Sequence, residues 1–170
     1  KLNDVTREYF ERMSGRTEPR AGAAMRQLLQ GSATGASTLA EQSPYWNSTM
    51  RTTCVATRLE GGHADNALPQ TALATVNRRV LPEQSEDDVR ATLRKVFADE
   101  QVEIAFKRPP SPGPASPMRP DVMRAVERIT ARLFPGVLVV PTMLTGATDG
   151  KYLRAAGIPT YGVSGIFFDM

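Results

Sequence analysis

Apolar positions along this chain change period several times, and each change marks an element. Leu2, Val5, Tyr9 and Met13 fall on one stripe of a helix that Asn3 or Asp4 can cap, and Gly15 stops it. Pro19 suits the first turn of a second helix, which carries Ala24, Met25, Leu28 and Leu29 and ends at Gly31. Gly31 to Thr38 is small and polar and predicts a loop; Leu39 to Asn47 predicts a further turn of helix. At Arg51 the period shortens to two. Thr53, Val55 and Thr57 share one face of a strand, with Cys54, Ala56 and Arg58 on the other. Gly61, Gly62, Asp65 and Asn66 supply a turn, since Gly and Asn tolerate positive φ. A second strand runs from Thr71 to Leu81, with Leu73, Thr75, Asn77 and Arg79 on one face and Ala72, Ala74, Val76 and Arg78 on the other. The hairpin so built carries Asn66 at its mouth and Arg79 at its far end. An arginine rooted on a strand can offer a planar fork of donors to a carboxylate; the plainer reading is a solvated arginine on a sheet edge.

Ser85 to Asp99 predicts a helix. Ser85 and Asp88 form a capping box with Asp in place of Glu, Glu86 to Asp88 put negative charge at its start, and Val89, Leu93, Val96 and Phe97 form its inner stripe. Val102 to Lys107 alternates like a short strand. Helix–helix–strand–strand–helix–strand is the order of an α+β fold, a two-layer sandwich with an antiparallel sheet, in which one more strand is expected before Lys1. Pro109, Pro110, Pro112, Pro114, Pro117 and Pro120 then interrupt every regular pattern. Residues 109–120 are therefore read as an extended linker between a domain over 1–108 and a second segment over 121–170. In that segment Asp121 caps a helix to Leu133 with Val122, Val126, Ile129 and Leu133 inward. Val137 to Val140 reads as a strand buried on both faces, Lys151 to Ala156 as a short helix closed by Gly157, and Pro159 to Val163 as a further strand. This is a partial α/β layer.

Composition narrows the field. A chain of 170 residues makes one compact domain or parts of two, and 41% hydrophobic with 23% charged residues is ordinary for a globular protein. A net charge of +3, without basic residues clustered among aromatics, argues against nucleic acid. No apolar run approaches the ~20 residues of a membrane-spanning helix. Cys54 is alone, so it forms no internal disulfide; in a strand it is expected to be a small core residue. Lys1 is not an initiator Met, and GVSGIFFDM at the other end is apolar without a closing turn, so the chain is expected to be cut from something longer. Thr145 to Lys151 is one residue short of a phosphate loop, with Tyr152 where Ser or Thr should follow. Ile166 replaces the second Gly of a nucleophile elbow, and with His63 the only histidine a serine hydrolase lacks its base.

Two stretches carry a resemblance. GGHADNALPQTALATVNRRVLP resembles the central hairpin of the lid, or dimerisation, domain in the aminoacylase/carboxypeptidase family of dinuclear zinc hydrolases. The matching positions are Asn66, Leu68 and Pro69, then Asn77, Arg79, Val80, Leu81 and Pro82. TGATDGKYLRAAGIPTYGV is similar to a loop of the catalytic domain that lines the substrate pocket, and the match lands on Gly146, Thr148 and Asp149. The two occur in the family's order, across a Pro-rich crossing from lid to catalytic domain. Asp149 has a plainer role as the cap of the short helix after it. His63-Ala64-Asp65 has the family's zinc-ligand spacing, but it lies on a Gly-Gly turn of the lid, so His63 is read as an exposed turn residue.

The resemblance implies hydrolysis of an amide bond beside a free carboxylate, in N-acyl amino acids or C-terminal peptides. It implies two zinc ions whose bridging water is activated by a glutamate, and a homodimer formed through the lid. It makes Asn66 and Arg79 the lid's substrate-binding asparagine and arginine, acting partly across the dimer, and makes Gly146, Thr148 and Asp149 part of the substrate pocket. The family's catalytic and metal-binding residues are expected outside this segment, so the segment alone is expected to be inactive. The alternative is a non-catalytic dimerisation or interaction module, with the Pro-rich run as a ligand for an aromatic groove and a strand edge open to a partner strand.

Overall fold

The computed structural model describes residues 2–82, 84–107 and 113–164. Residues 108–112 of the Pro-rich stretch and the apolar end at 165–170 lie outside them. The chain forms two compact units, Lys1–Leu81 with Met143–Gly146, and Pro82–Thr142 with Ala147–Met170. Both are built of helices, with an antiparallel hairpin in the first; the fold class is α+β.

The first unit begins with four helices. They are α1 (Asp4–Met13), α2 (Pro19–Leu29), α3 (Ala33–Gln42) and α4 (Pro44–Met50). Asn3 caps α1 through a reciprocal bond with Thr6, and Pro19 starts α2, as the sequence predicts. The loop expected over Gly31 to Thr38 is instead mostly α3, capped by Ser32. Its Gly, Thr and Ser are weak helix formers, and packing overrides that preference. A Cβ on Gly35 would stand 2.7 Å from both the Ala24 carbonyl oxygen and the Leu28 nitrogen, so α3 lies almost against the backbone of α2. Phe10, Met25 and Leu39 are fully buried at the centre, with Tyr9, Ala21, Ala24 and Met50 around them. Burial pushes the Tyr9 phenol above its ordinary value, opposed by the Trp46 indole N–H that donates to it at 3.1 Å.

The hairpin pairs β1 (Thr53–Gly61) with β2 (Ala72–Arg79), Thr53 opposite Arg79 and Gly61 opposite Ala72. The register shifts between Ala56 and Arg58, so Thr57 is an extra, bulged residue. The strict alternation expected for the first strand therefore holds only to Ala56. Beyond the bulge Arg58 and Glu60 join Thr53 and Val55 on the face of Thr75, Asn77 and Arg79, and Arg58 pairs with Glu60 at 2.9 Å. Leu59 joins Cys54 and Ala56 on the face of Ala72, Ala74 and Val76. Cys54, expected in the core, is exposed, as are Val55, Leu59 and Val76, because the described residues leave the hairpin uncovered on both faces.

The second unit contains α5 (Glu86–Phe97), α6 (Pro120–Leu133) and α7 (Gly150–Ala155). The Ser85–Asp88 capping box is present, but only Val89 of the predicted α5 stripe is buried; Leu93 is half-buried, and Val96 and Phe97 are exposed. Val102 to Lys107, Val137 to Val140 and Pro159 to Val163 are irregular and form no strands. An alternating or apolar run becomes a strand only when a neighbouring chain takes its hydrogen bonds, and none of the described residues does so here. Residues 102–107 are held instead by Arg90, whose Nη1 donates to the Ile104 carbonyl at 2.9 Å while its guanidinium lies 4.3 Å over the Phe106 ring. Asp121 does not cap α6: Arg119 is the cap residue, Pro120 opens the helix, and the Asp121 carboxylate accepts two bonds from the Arg119 guanidinium. The described part of the Pro-rich stretch is tied down through two of its carbonyls and one hydroxyl. Arg154 donates to the Pro114 carbonyl oxygen at 2.9 Å, the Tyr161 hydroxyl to that of Pro117 at 2.7 Å, and Ser116 exchanges two bonds with the Thr160 backbone. Proline has no N–H but keeps a full carbonyl acceptor, so donors must come from elsewhere.

Two outcomes follow from this packing. Gly35→Ala should destabilise the protein by about 1–3 kcal/mol in denaturant unfolding, although alanine is the better helix former, because the added methyl meets backbone that has no rotamer to escape into. The Asp88 carboxyl is held below the usual aspartate range by the Ser85 hydroxyl and then the Ser85 backbone N–H. Its contribution to α5 is thus present above the ordinary aspartate value and is lost as pH falls through the lowered one; Ser85→Ala should flatten this acid limb in a helicity titration.

Candidate functional site

Arg79 is the last residue of β2, so its direction is set where the hairpin closes. Beyond the pairing of Thr53 with Arg79, the Leu81 N–H donates to the Thr52 hydroxyl at 3.1 Å, which keeps the two chains together past the last ladder bond. The Arg79 side chain is exposed, and its Nη1 donates to the Thr145 carbonyl at 3.4 Å, across 66 residues of sequence. Thr145 precedes Gly146. Met143–Gly146 is a strap of the same unit, with Met143 and Thr145 half-buried and Leu144 and Gly146 exposed. At its other end Asn3 Nδ2 donates to the Met143 sulfur at 3.5 Å. Nothing lies within 4 Å of a Cβ built on Gly146, so a ligand can approach the backbone there. A guanidinium has five N–H donors; the Thr145 carbonyl occupies one direction and braces the group.

The other residues expected in the site stand elsewhere. Asn66 is exposed in the turn, at the opposite end of the hairpin from Arg79. Seven strand steps separate Ala72 from Arg79, which is roughly 23 Å. One small carboxylic acid cannot touch both within a single copy. Thr148 and Asp149 belong to the second unit, where their carbonyls accept from Lys151 N and Tyr152 N at 3.1 Å each. Asp149 does occupy the N-cap position of α7, but its side chain makes no capping bond. The sequence drew attention to Arg79 and Gly146 separately. It marked Asn3 only as a helix cap and Met143 not at all, because no local pattern announces a contact 140 residues away.

The donors needed for the implied pair of zinc ions do not converge here. Among the described residues no three His, Cys, Asp or Glu side chains form a group able to hold a metal, and His63 is exposed on the turn. The described residues do not fit that cofactor.

Comparison with known proteins decides the family. The model of the M20 peptidase dimerisation domain matches residues 8–105. The chain belongs to the M20 aminoacylase/carboxypeptidase family. Among similar M20 proteins, the N-fatty-acyl-amino acid synthase/hydrolase PM20D1 of Xenopus tropicalis is 32% identical over 117 residues, 68% of this chain and 23% of that protein. The probable carboxypeptidase S-like 2 of Dictyostelium discoideum is 29% identical over 64% of this chain and 21% of its own length. Human aminoacylase-1 is 27% identical over 73% of this chain and 31% of its own. The chain thus spans about a quarter of the length of the first of these relatives. No solved structure gives a significant match.

The open space at Gly146 makes a separable prediction. Gly146→Ala should leave unfolding free energy unchanged to within about 0.5 kcal/mol, since the new methyl touches nothing and the residue has no positive φ. A loss of stability would show that the strap packs more closely than described.

Proposed function

We propose that this M20 chain is the lid and an adjoining catalytic-domain segment of a metal-dependent amidohydrolase or exopeptidase that cleaves an amide bond next to a free carboxylate. Residues 1–108 would form the lid, 109–120 the crossing and 121–170 the catalytic-domain piece. Arg79 takes the substrate carboxylate, with Gly146 giving it room, and the resemblance adds Thr148 and Asp149 as substrate-binding residues. The observation that supports this best is the contact between Arg79 and the Thr145 carbonyl. It joins the lid arginine to the loop that the sequence independently marks as substrate-lining. The names of the relatives, N-fatty-acyl-amino acid synthase/hydrolase and aminoacylase, point to N-acyl amino acids ahead of peptides as the substrate class. The distance between Asn66 and Arg79 favours a homodimer in which one copy's Asn66 reaches the other copy's site. Two zinc ions would be held by residues outside this segment, and residues 1–170 alone would not turn over substrate.

The test uses the full-length protein with an N-acyl amino acid and the same compound with its carboxylate converted to a primary amide. Wild-type protein should prefer the acid. Arg79→Ala should lower kcat/KM for the acid by about 1.5–3 kcal/mol, the range for a hydrogen bond to a charged group, and leave the amide unaffected. Equal losses on both compounds, or none on either, would overturn the assignment of Arg79.

A further inference from the structure

Among the described residues, two side chains donate to the strap that carries Thr145: Arg79 and Asn3. The Asn3 side chain serves both a helix and the strap. Its Oδ1 accepts from the Thr6 backbone N–H at 2.9 Å and from the Thr6 hydroxyl at 3.0 Å, which caps α1. Its Nδ2 donates to the Met143 sulfur at 3.5 Å. With the oxygen committed to the helix, the planar amide has no freedom to turn its nitrogen elsewhere. Ser, Thr or Asp would cap α1 equally well, but none of them combines a capping acceptor with an NH2 donor. Asparagine therefore does something at this position that capping does not require.

Met143 and Thr145 sit two residues apart in the strap, which bends at Thr145, and are the half-buried members of its alternation. Pinning one limits where the carbonyl of the other can lie, and that carbonyl is what braces the Arg79 guanidinium. We infer that Asn3 is a positioning residue: it holds Met143, and through Thr145 it sets the direction in which Arg79 presents its free donors. This rests on the reading of Arg79 as the carboxylate's partner. Asn3 touches no substrate in this scheme, and its sulfur bond is a weak one, so its effect is on aim and not on the fold.

Asn3→Asp and Met143→Leu in the full-length protein separate aim from stability. Asp keeps the cap and suits the helix dipole but cannot donate; Leu keeps the volume of Met and adds no charge but cannot accept. Both should leave the unfolding temperature unchanged and raise KM for an N-acyl amino acid by roughly two- to five-fold with kcat little altered, and the double variant should be no worse than either alone. The Kd for a non-hydrolysable N-acyl amino acid analogue should rise by the same roughly two- to five-fold in both, a readout that does not depend on turnover. Wild-type KM or wild-type Kd in both variants would overturn the inference. Should Asn3→Asp lower the unfolding temperature, Met143→Leu decides alone. Arg79→Ala run alongside keeps the two claims apart: unchanged KM there removes the carboxylate reading itself, while raised KM there with unaltered Asn3 and Met143 variants removes only the positioning role.

Discussion

A guanidinium at the end of a strand has a long, flexible stem, and left in water it samples many directions. Here the options are narrowed in sequence by backbone. The ladder pairs Arg79 with Thr53, the Thr52 hydroxyl keeps the chain together at Leu81, and the Thr145 carbonyl receives one of the guanidinium donors. Each is a modest interaction. Their combined effect is to make the direction of a positive charge a property of the fold. The proposed grip on a substrate carboxylate depends on that constraint.

The helical part of the same unit is held by a different kind of contact. Phe10, Met25 and Leu39 fill the middle, but the spacing between α2 and α3 is set by the missing side chain of Gly35. This explains why α3 was illegible in the sequence. Its small, polar residues are what a loop would use, and only the neighbouring helix makes them a good solution. The second unit shows the opposite case. Val137 to Val140 has every local property of a buried strand, yet it is none among the described residues, because pairing is supplied by other segments and not by the run itself.

What was legible had local causes. Pro19 at a helix start, the Ser85–Asp88 box, and Gly157, whose φ of 80° follows the last turn of α7, each act within a few residues. Arg79 and Gly146 were legible one at a time through resemblance to a family pattern. Their meeting was not, since a hydrogen bond over 66 residues leaves no periodic trace. Asp121 and Asp149 were each placed at the right end of the right helix. Their capping bonds are absent for particular reasons: Asp121 lies inside α6, behind Arg119 and Pro120, with its carboxylate on the Arg119 guanidinium, and Asp149 has an α-helical φ and ψ and not the extended backbone typical of a cap.

The bulge at Thr57 has a bearing on what this hairpin can stick to. Without it, plain alternation would have turned Arg58 into the small apolar side and Leu59 out among the charges; the backbone corrects a phase error that the residue order contains. The correction also bends the outer rim of β1. A foreign extended chain adding to that rim would meet an offset halfway along and would need one of its own to continue. The irregularity thus discourages indiscriminate zippering of a hairpin whose apolar side no described residue covers.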